Sequence, residues 1–200
     1  MKVLVCDPIS QTGIEHLQQQ DGLETIVLDR CHSEAELLPI VKDVSAMAVR
    51  SETKVTKSIL EAAPEMRIVG RAGVGVDNID IEAATQNGVI VMNTPGGNTT
   101  ATCELTFSMM MALARNIPQA HGSMVAGEWN RKAYKGVELY GKTLGVLGMG
   151  RIGGEVARRA VAFGMRVLAY HPYITPSRAK ALQVELSSLE DIYTAADFIT

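Results

Sequence analysis

The sequence predicts an α/β protein built from two parallel-sheet units. Short apolar runs alternate with helical patterns through the first ninety residues. A polar, glycine-rich loop and a long apolar helix then interrupt that alternation, and a second alternation starts near residue 141. Alternation of this kind places crossover helices on parallel strands. The two units are expected to span residues 1–93 and 94–200.

Residues 2–6 form an apolar run closed by Asp7-Pro8, a turn-favouring pair. Ser10 caps a helix that runs through Leu17 to about Gln20, and residues 24–28 read as a strand. Ser33 and Glu36 make a capping box for a helix with Leu37, Leu38 and Val41 on one face. Residues 45–49 are a third strand, and 57–63 a short helix stopped by Pro64. Residues 67–70 are a fourth strand; Asp80 caps a helix ending at Gly88, and 89–92 is a fifth strand.

Residues 94–98 are a loop, and Thr99 begins a helix lasting to about Asn116. Between residues 105 and 114 only Thr106 and Ser108 are polar, so this helix is apolar nearly all round and needs burial on more than one side. Met109, Met110 and Met111 are read as packing residues of a domain or subunit interface. A second helix, 118–126, leads to Trp129 and the basic cluster Arg131, Lys132 and Lys135. Beyond it, strands are expected at 143–147, 165–170 and from 197, with helices at 151–163, 176–182 and 189–194.

Nineteen Lys+Arg against 22 Asp+Glu give a net charge of −3, which argues against nucleic acid as a partner. No apolar run approaches the ~18 residues of a membrane span, and the N-terminus lacks the features of a signal peptide. Cys6, Cys31 and Cys103 are odd in number and form no C-x-x-C pair, so they are read as reduced thiols of a cytoplasmic protein, with no metal site.

Eighteen glycines are clustered, and Gly148-Met149-Gly150-Arg151-Ile152-Gly153 is a G-x-G-x-x-G placed between an apolar strand and a helix. Gly148 permits the tight turn, Gly150 admits a pyrophosphate to the backbone, and Gly153 lets helix and sheet pack closely. The helix N-terminus then attracts phosphate. The carboxylate that such loops pair with a ribose is replaced by His171, 23 positions after Gly148. Histidine offers one hydrogen bond or a stacking face, and Arg178 is the only basic residue nearby that could meet a 2′-phosphate. NAD is therefore favoured over NADP.

Four segments occur in order: VRSETKVT at 49–56, GRAGVGVDNID at 70–80, VMNTPGGN at 91–98 and GKTLGVLGMGRIG at 141–153. Together they resemble the D-isomer-specific 2-hydroxyacid dehydrogenase family, and the resemblance covers essentially all 200 residues. It implies two Rossmann-like units, a flavodoxin-like substrate lobe followed by an incomplete NAD-binding domain. It implies oxidation of 3-phospho-D-glycerate to 3-phosphohydroxypyruvate with NAD, at the head of serine biosynthesis. The alternatives are a sibling dehydrogenase of glyoxylate, hydroxypyruvate or lactate, and a non-catalytic NAD-binding regulator.

The resemblance assigns the substrate to Arg50, Ser51, Gly73, Val74, Gly75, Asn98 and Arg131, the last reaching a partner subunit's site. It assigns the cofactor to Val74, Asn98, Ala101, Arg151 and Ile152, which join Gly148, Gly150, Gly153 and His171 from the glycine-rich loop and its spacing. Paired glycines at 73 and 75 would make an anion nest. Val74 stands where relatives commonly carry threonine. The family's catalytic arginine, glutamate and histidine have no match here, and His16, His32, His121 and His171 occupy other contexts. The chain is therefore expected to be an inactive fragment, and its 99–126 helices to form a homodimer or homotetramer.

Overall fold

The computed structural model describes residues 1–200, which divide into two compact units, Met1–Asn98 and Thr99–Thr200. In the first unit β1 (Lys2–Val5), β2 (Glu24–Val27), β3 (Ala46–Val49), β4 (Ile68–Arg71) and β5 (Ile90–Asn93) form one sheet in the order β2-β1-β3-β4-β5. Every pairing is parallel. The crossovers are α1 (Gln11–Gln18), α2 (Glu34–Ile40), α3 (Lys57–Ala62) and α4 (Ile81–Gln86). This is the flavodoxin-like order, in which ligands collect outside the carboxyl ends of the strands.

Local chemistry sets these elements. Ser10, Thr56 and Asp80 each accept a backbone N–H as helix N-caps, and Ser33 and Glu36 form the expected capping box. Pro39 sits in the last turn of α2, and the chain tightens there into a single 3₁₀ turn over Val41–Asp43. That turn is how Val41 reaches the core beside Leu37. Leu4, Met47, Val49 and Val69 from the strands meet Ile59, Leu60 and Ala84 from the helices, all within 2% of complete burial. Each such aliphatic side chain contributes roughly 1.5–3 kcal/mol on leaving water.

In the second unit β6 (Thr143–Leu147), β7 (Arg166–Tyr170), β8 (Glu185–Leu186) and β9 (Phe198–Ile199) form a parallel sheet in the order β8-β7-β6-β9. The two-residue strand β8 was not anticipated; it alternates no apolar pattern long enough to read. Its helices are α5 (Thr99–Arg115), α6 (Ile117–Val125), α7 (Arg151–Ala162), α8 (Pro176–Ala181) and α9 (Leu189–Ala195). Asn116 breaks α5 from α6 by adopting a left-handed backbone at φ 53°.

The long helix α5 is buried along one stripe only within this chain. Cys103, Phe107, Met110 and Ala114 recur at helical spacing and face the core with Val156, Ala157 and Ala160 of α7. The Phe107 ring stacks on Phe163 with centroids 5.1 Å apart. The opposite stripe, Leu105, Met109 and Leu113, is open to solvent, Leu113 being 73% exposed. The three consecutive methionines thus divide: Met110 is buried, Met111 half-buried and Met109 exposed.

Candidate functional site

Two groups of residues stand out, one in each unit. In the first, the carboxyl ends of β3, β4 and β5 open onto a recess of about 460 Å³. It is lined by Arg50 and Ser51 after β3, by Arg71 to Gly75 at the end of β4, and by Thr94, Gly97 and Asn98 after β5. Parallel register brings these connections to one edge: Val49 pairs with Arg71 and Arg71 with Asn93. Thus Arg50, Ser51, Gly73, Val74, Gly75 and Asn98, far apart in sequence, share one recess.

Arg71 was missed in the sequence because the fourth strand was ended at Gly70. It is the last residue of β4, and its side chain is only 10% exposed. Its Nε donates to the Arg50 carbonyl at 3.3 Å, and one terminal nitrogen donates to Asp77 at 2.9 Å. A basic residue at the carboxyl end of a parallel strand was the available signal.

The same guanidinium explains a glycine. Neither Gly73 nor Gly75 has a positive φ, so a left-handed backbone is not what calls for glycine in this loop. A Cβ on Gly75 would instead lie 2.6 Å from Arg71 and 2.7 Å from Asp77. Glycine there leaves room for the Arg71–Asp77 ion pair, which a side chain at this position would push aside. The loop still offers donors: the N–H groups of Val74 and Gly75 bond to no acceptor in the chain, while the Gly73 carbonyl accepts from Thr94 at 2.9 Å and Val74's from Asn93 at 2.6 Å. Free amides beside the Arg50 guanidinium, with the Arg71–Asp77 pair next to them, are donors that a small anion can accept from. The recess contains no imidazole or carboxylate side chain, and the histidines at 16, 32, 121 and 171 are elsewhere.

In the second unit, β6 runs into Gly148, whose φ of 109° only glycine adopts readily. Gly150 then opens α7 as an N-cap with no side-chain hydrogen bond, leaving the first-turn N–H groups without a capping acceptor. A Cβ on Gly150 would meet nothing within 4 Å, whereas one on Gly153 would lie 1.9 Å from the Gly148 carbonyl oxygen. The second glycine therefore keeps open space over the helix end, and the third closes helix against strand. Arg151 is exposed, and Ile152 packs partly into the core. His171 lies beside this loop, because the Gly148 N–H donates to the carbonyl of Tyr170 at 2.9 Å. Its ring meets Tyr173 edge-on at 6.0 Å. Such a loop can hold a pyrophosphate on backbone donors. Ala101 is exposed on the first turn of α5, and Arg131 is exposed in the turn after α6.

Residues 3–195 match the model of the D-isomer specific 2-hydroxyacid dehydrogenase catalytic domain. The chain belongs to that family. It is 48% identical over 201 residues to D-3-phosphoglycerate dehydrogenase of Methanocaldococcus jannaschii and 49% identical over 199 residues to that of Bacillus subtilis. All of this chain is covered in both cases, against 38% and 37% of those relatives, so it spans well under half their length. Among solved structures, the NAD⁺-bound 3-phosphoglycerate dehydrogenase of Entamoeba histolytica superposes with a TM-score of 0.77 at 30% identity, covering 100% of this chain and 61% of that one. The family assignment agrees with the parallel sheets of both units. No helix of the chain is long and apolar enough to cross a membrane.

Proposed function

We propose that this chain provides the substrate recess and the cofactor loop of an NAD-dependent oxidoreductase that converts 3-phospho-D-glycerate to 3-phosphohydroxypyruvate. The observation that carries the reading is the recess itself, where Arg50, Arg71 and the free amides of Val74 and Gly75 converge on a volume suited to a small polyanion. Arg50 is exposed, so its guanidinium is accessible to a phosphate. Ser51 and Asn98 add neutral polar groups that orient a carboxylate or hydroxyl. The chain's share of the chemistry is binding and orientation, since the recess offers no group to take the hydroxyl proton.

The residues fit NAD. The Gly148–Gly153 loop would hold the pyrophosphate and His171 would meet the adenosine ribose; the nicotinamide supplies the hydride acceptor. Val74 and Ala101 would bound the cofactor by apolar contact. Arg131 is assigned to the phosphate end of a partner subunit's substrate. The exposed stripe of Leu105, Met109 and Leu113, continued by Ile117 and Met124, supports assembly of two copies through residues 99–126.

The test is a substrate panel on the whole protein that carries this chain. Phosphoglycerate should be oxidised in preference to D-lactate and glycolate, and Arg50→Ala and Arg131→Ala should weaken the phosphorylated acid selectively. Equal turnover of unphosphorylated acids, unchanged by either variant, would point to a sibling dehydrogenase. NADH binding without turnover of any hydroxy acid would point to a regulator. Equal kcat/KM with NADP would remove the NAD preference.

A further inference from the structure

The turn that presents Arg50 and Ser51 has its shape imposed from outside. It leaves β3 at Val49 and reverses over residues 50–53. At the end of β1, Asp7 is 3% exposed, and its Oδ2 accepts from the N–H of Arg50 at 2.5 Å and of Thr53 at 3.2 Å. Its Oδ1 accepts from the Thr53 hydroxyl at 2.5 Å. From a different connection, Asn78 Nδ2 donates to the carbonyls of Arg50 at 2.7 Å and Thr53 at 2.6 Å. Both ends of the turn are thus held, donor and acceptor, by two side chains 43 and 28 residues away from Arg50.

The choice of a carboxylate is costly. Asp7 has no cation beside it and is compensated only by N–H and O–H groups, so a site that merely needed filling would be better served by an apolar residue. What the carboxylate adds is direction: Oδ2 sets where the 50 and 53 amides point, while Oδ1 holds the Thr53 hydroxyl. The same connection also steers the side chain, because Pro8's carbonyl accepts from the Arg50 guanidinium at 3.3 Å.

We propose that Asp7, with Asn78, is a positioning residue for substrate recognition: it fixes the backbone from which Arg50 and Ser51 enter the recess and does not itself line that recess. This rests on the recess being the phosphoglycerate site. A hydrogen bond to a charged group is worth enough that its loss weakens binding about 10- to 100-fold when it sets the geometry of a ligand.

Kinetics of the whole protein separate positioning from bulk stability. Asp7→Ala is expected to raise KM for phosphoglycerate about tenfold or more while KM for NAD and kcat move less than about threefold. Asp7→Asn retains one acceptor and should recover most of the loss; Asn78→Ala should reproduce the Asp7→Ala phenotype by an independent route. In an Arg50→Ala background, Asp7→Ala should raise KM by a smaller factor than it does alone, because the share of its effect that runs through Arg50 is already lost and only the share through Ser51 remains. Amide exchange at residues 50 and 53 should accelerate in the Asp7 variants with the rest of the unit unchanged. Additivity with Arg50→Ala, equal rises in both KM values, or unchanged exchange at 50 and 53 would overturn the proposal. If Asp7→Ala does not fold, Asp7→Asn and Asn78→Ala decide it by the same readouts. Should the protein turn over a different hydroxy acid, a selective KM effect on that acid upholds the positioning role while the phosphoglycerate reading fails.

Discussion

Gly153→Ala and Gly150→Ala form a pair that separates packing from ligand contact in the cofactor loop. At Gly153 a methyl group would sit 1.9 Å from the Gly148 carbonyl oxygen, 3.0 Å from its carbon and 3.4 Å from Val146 Cγ1. Backbone must therefore move by about 1 Å, since both nearest atoms are main chain. Neither side yields easily: Gly148 is tied to Tyr170 at 2.9 Å, and α7 is anchored by Val156, Ala157 and Ala160. Overpacking of this sort costs about 1–3 kcal/mol, offset by about 1 kcal/mol from alanine's better helix propensity. With the upper end of that range for a backbone clash, the net is about 2 kcal/mol. For a unit of about a hundred residues this lowers Tm by roughly 10 °C. Moving the first-turn amides about 1 Å should also weaken NADH binding, by about 10-fold or more for each hydrogen bond to the pyrophosphate that is lost. Gly150→Ala meets no atom within 4 Å and has an ordinary φ of −72°. Its stability should stay within about 0.5 kcal/mol, while the methyl group occupies the space a pyrophosphate needs. Calorimetric melts with NADH titrations followed by fluorescence read both quantities. A Gly153→Ala protein that melts and binds like the parent refutes the packing argument. Undiminished affinity in Gly150→Ala refutes the assignment of the pyrophosphate to this loop.

Three further outcomes follow from burial and charge. Burial pushes the Cys6 thiol up to about 12 and raises that of Cys103, whereas Cys31 is exposed. A disulfide reagent at pH 8 should therefore titrate a single thiol in the folded chain and all three after denaturation; fast reaction of Cys6 or Cys103 in the folded chain would contradict their burial. Leu113→Glu places a charge on a side chain that is 73% exposed, so the fold should survive while the proposed dimer of the whole protein sediments as a monomer. An unchanged dimer would remove the α5 stripe from the interface. The Arg30 guanidinium, with the N–H and hydroxyl of Ser33, pulls the Glu36 carboxyl down to about 2. A depressed carboxylate stabilises the fold above its ordinary value near 4.5, and that contribution is lost as pH falls toward 2. An NMR titration should show this midpoint rising in Arg30→Ala; a parent midpoint near 4.5 would refute the capping geometry.

What the sequence made legible was whatever a local rule governs. Apolar runs located the strands, Asp7-Pro8, Pro64 and Gly88 marked where elements end, and Ser10, Ser33 and Asp80 located helix starts, because capping acts within three residues; the Thr56 cap came only with the structure. The loop at Gly148–Gly153 was readable for the same reason: turn, open space and close packing are demands on consecutive positions. The recess is another matter. Its members come from three connections, and a period-2 strand pattern does not reveal which residue ends on which edge; ending β4 one residue early hid Arg71. Asp7 and Asn78 were invisible for a stronger reason. Asp7 read as half of a turn signal and Asn78 as part of a motif, and their common task exists only once β1, β3 and β4 lie side by side. The α5 stripe shows the converse limit. Apolarity on both faces of that helix is a fact of sequence, but the face that this chain covers is decided by α7, and the remaining face of Leu105, Met109 and Leu113 gains a purpose only from a second surface. Apolarity along a helix thus says that a face can be covered and not by what; only the neighbour that is present, α7, decides the buried stripe of α5.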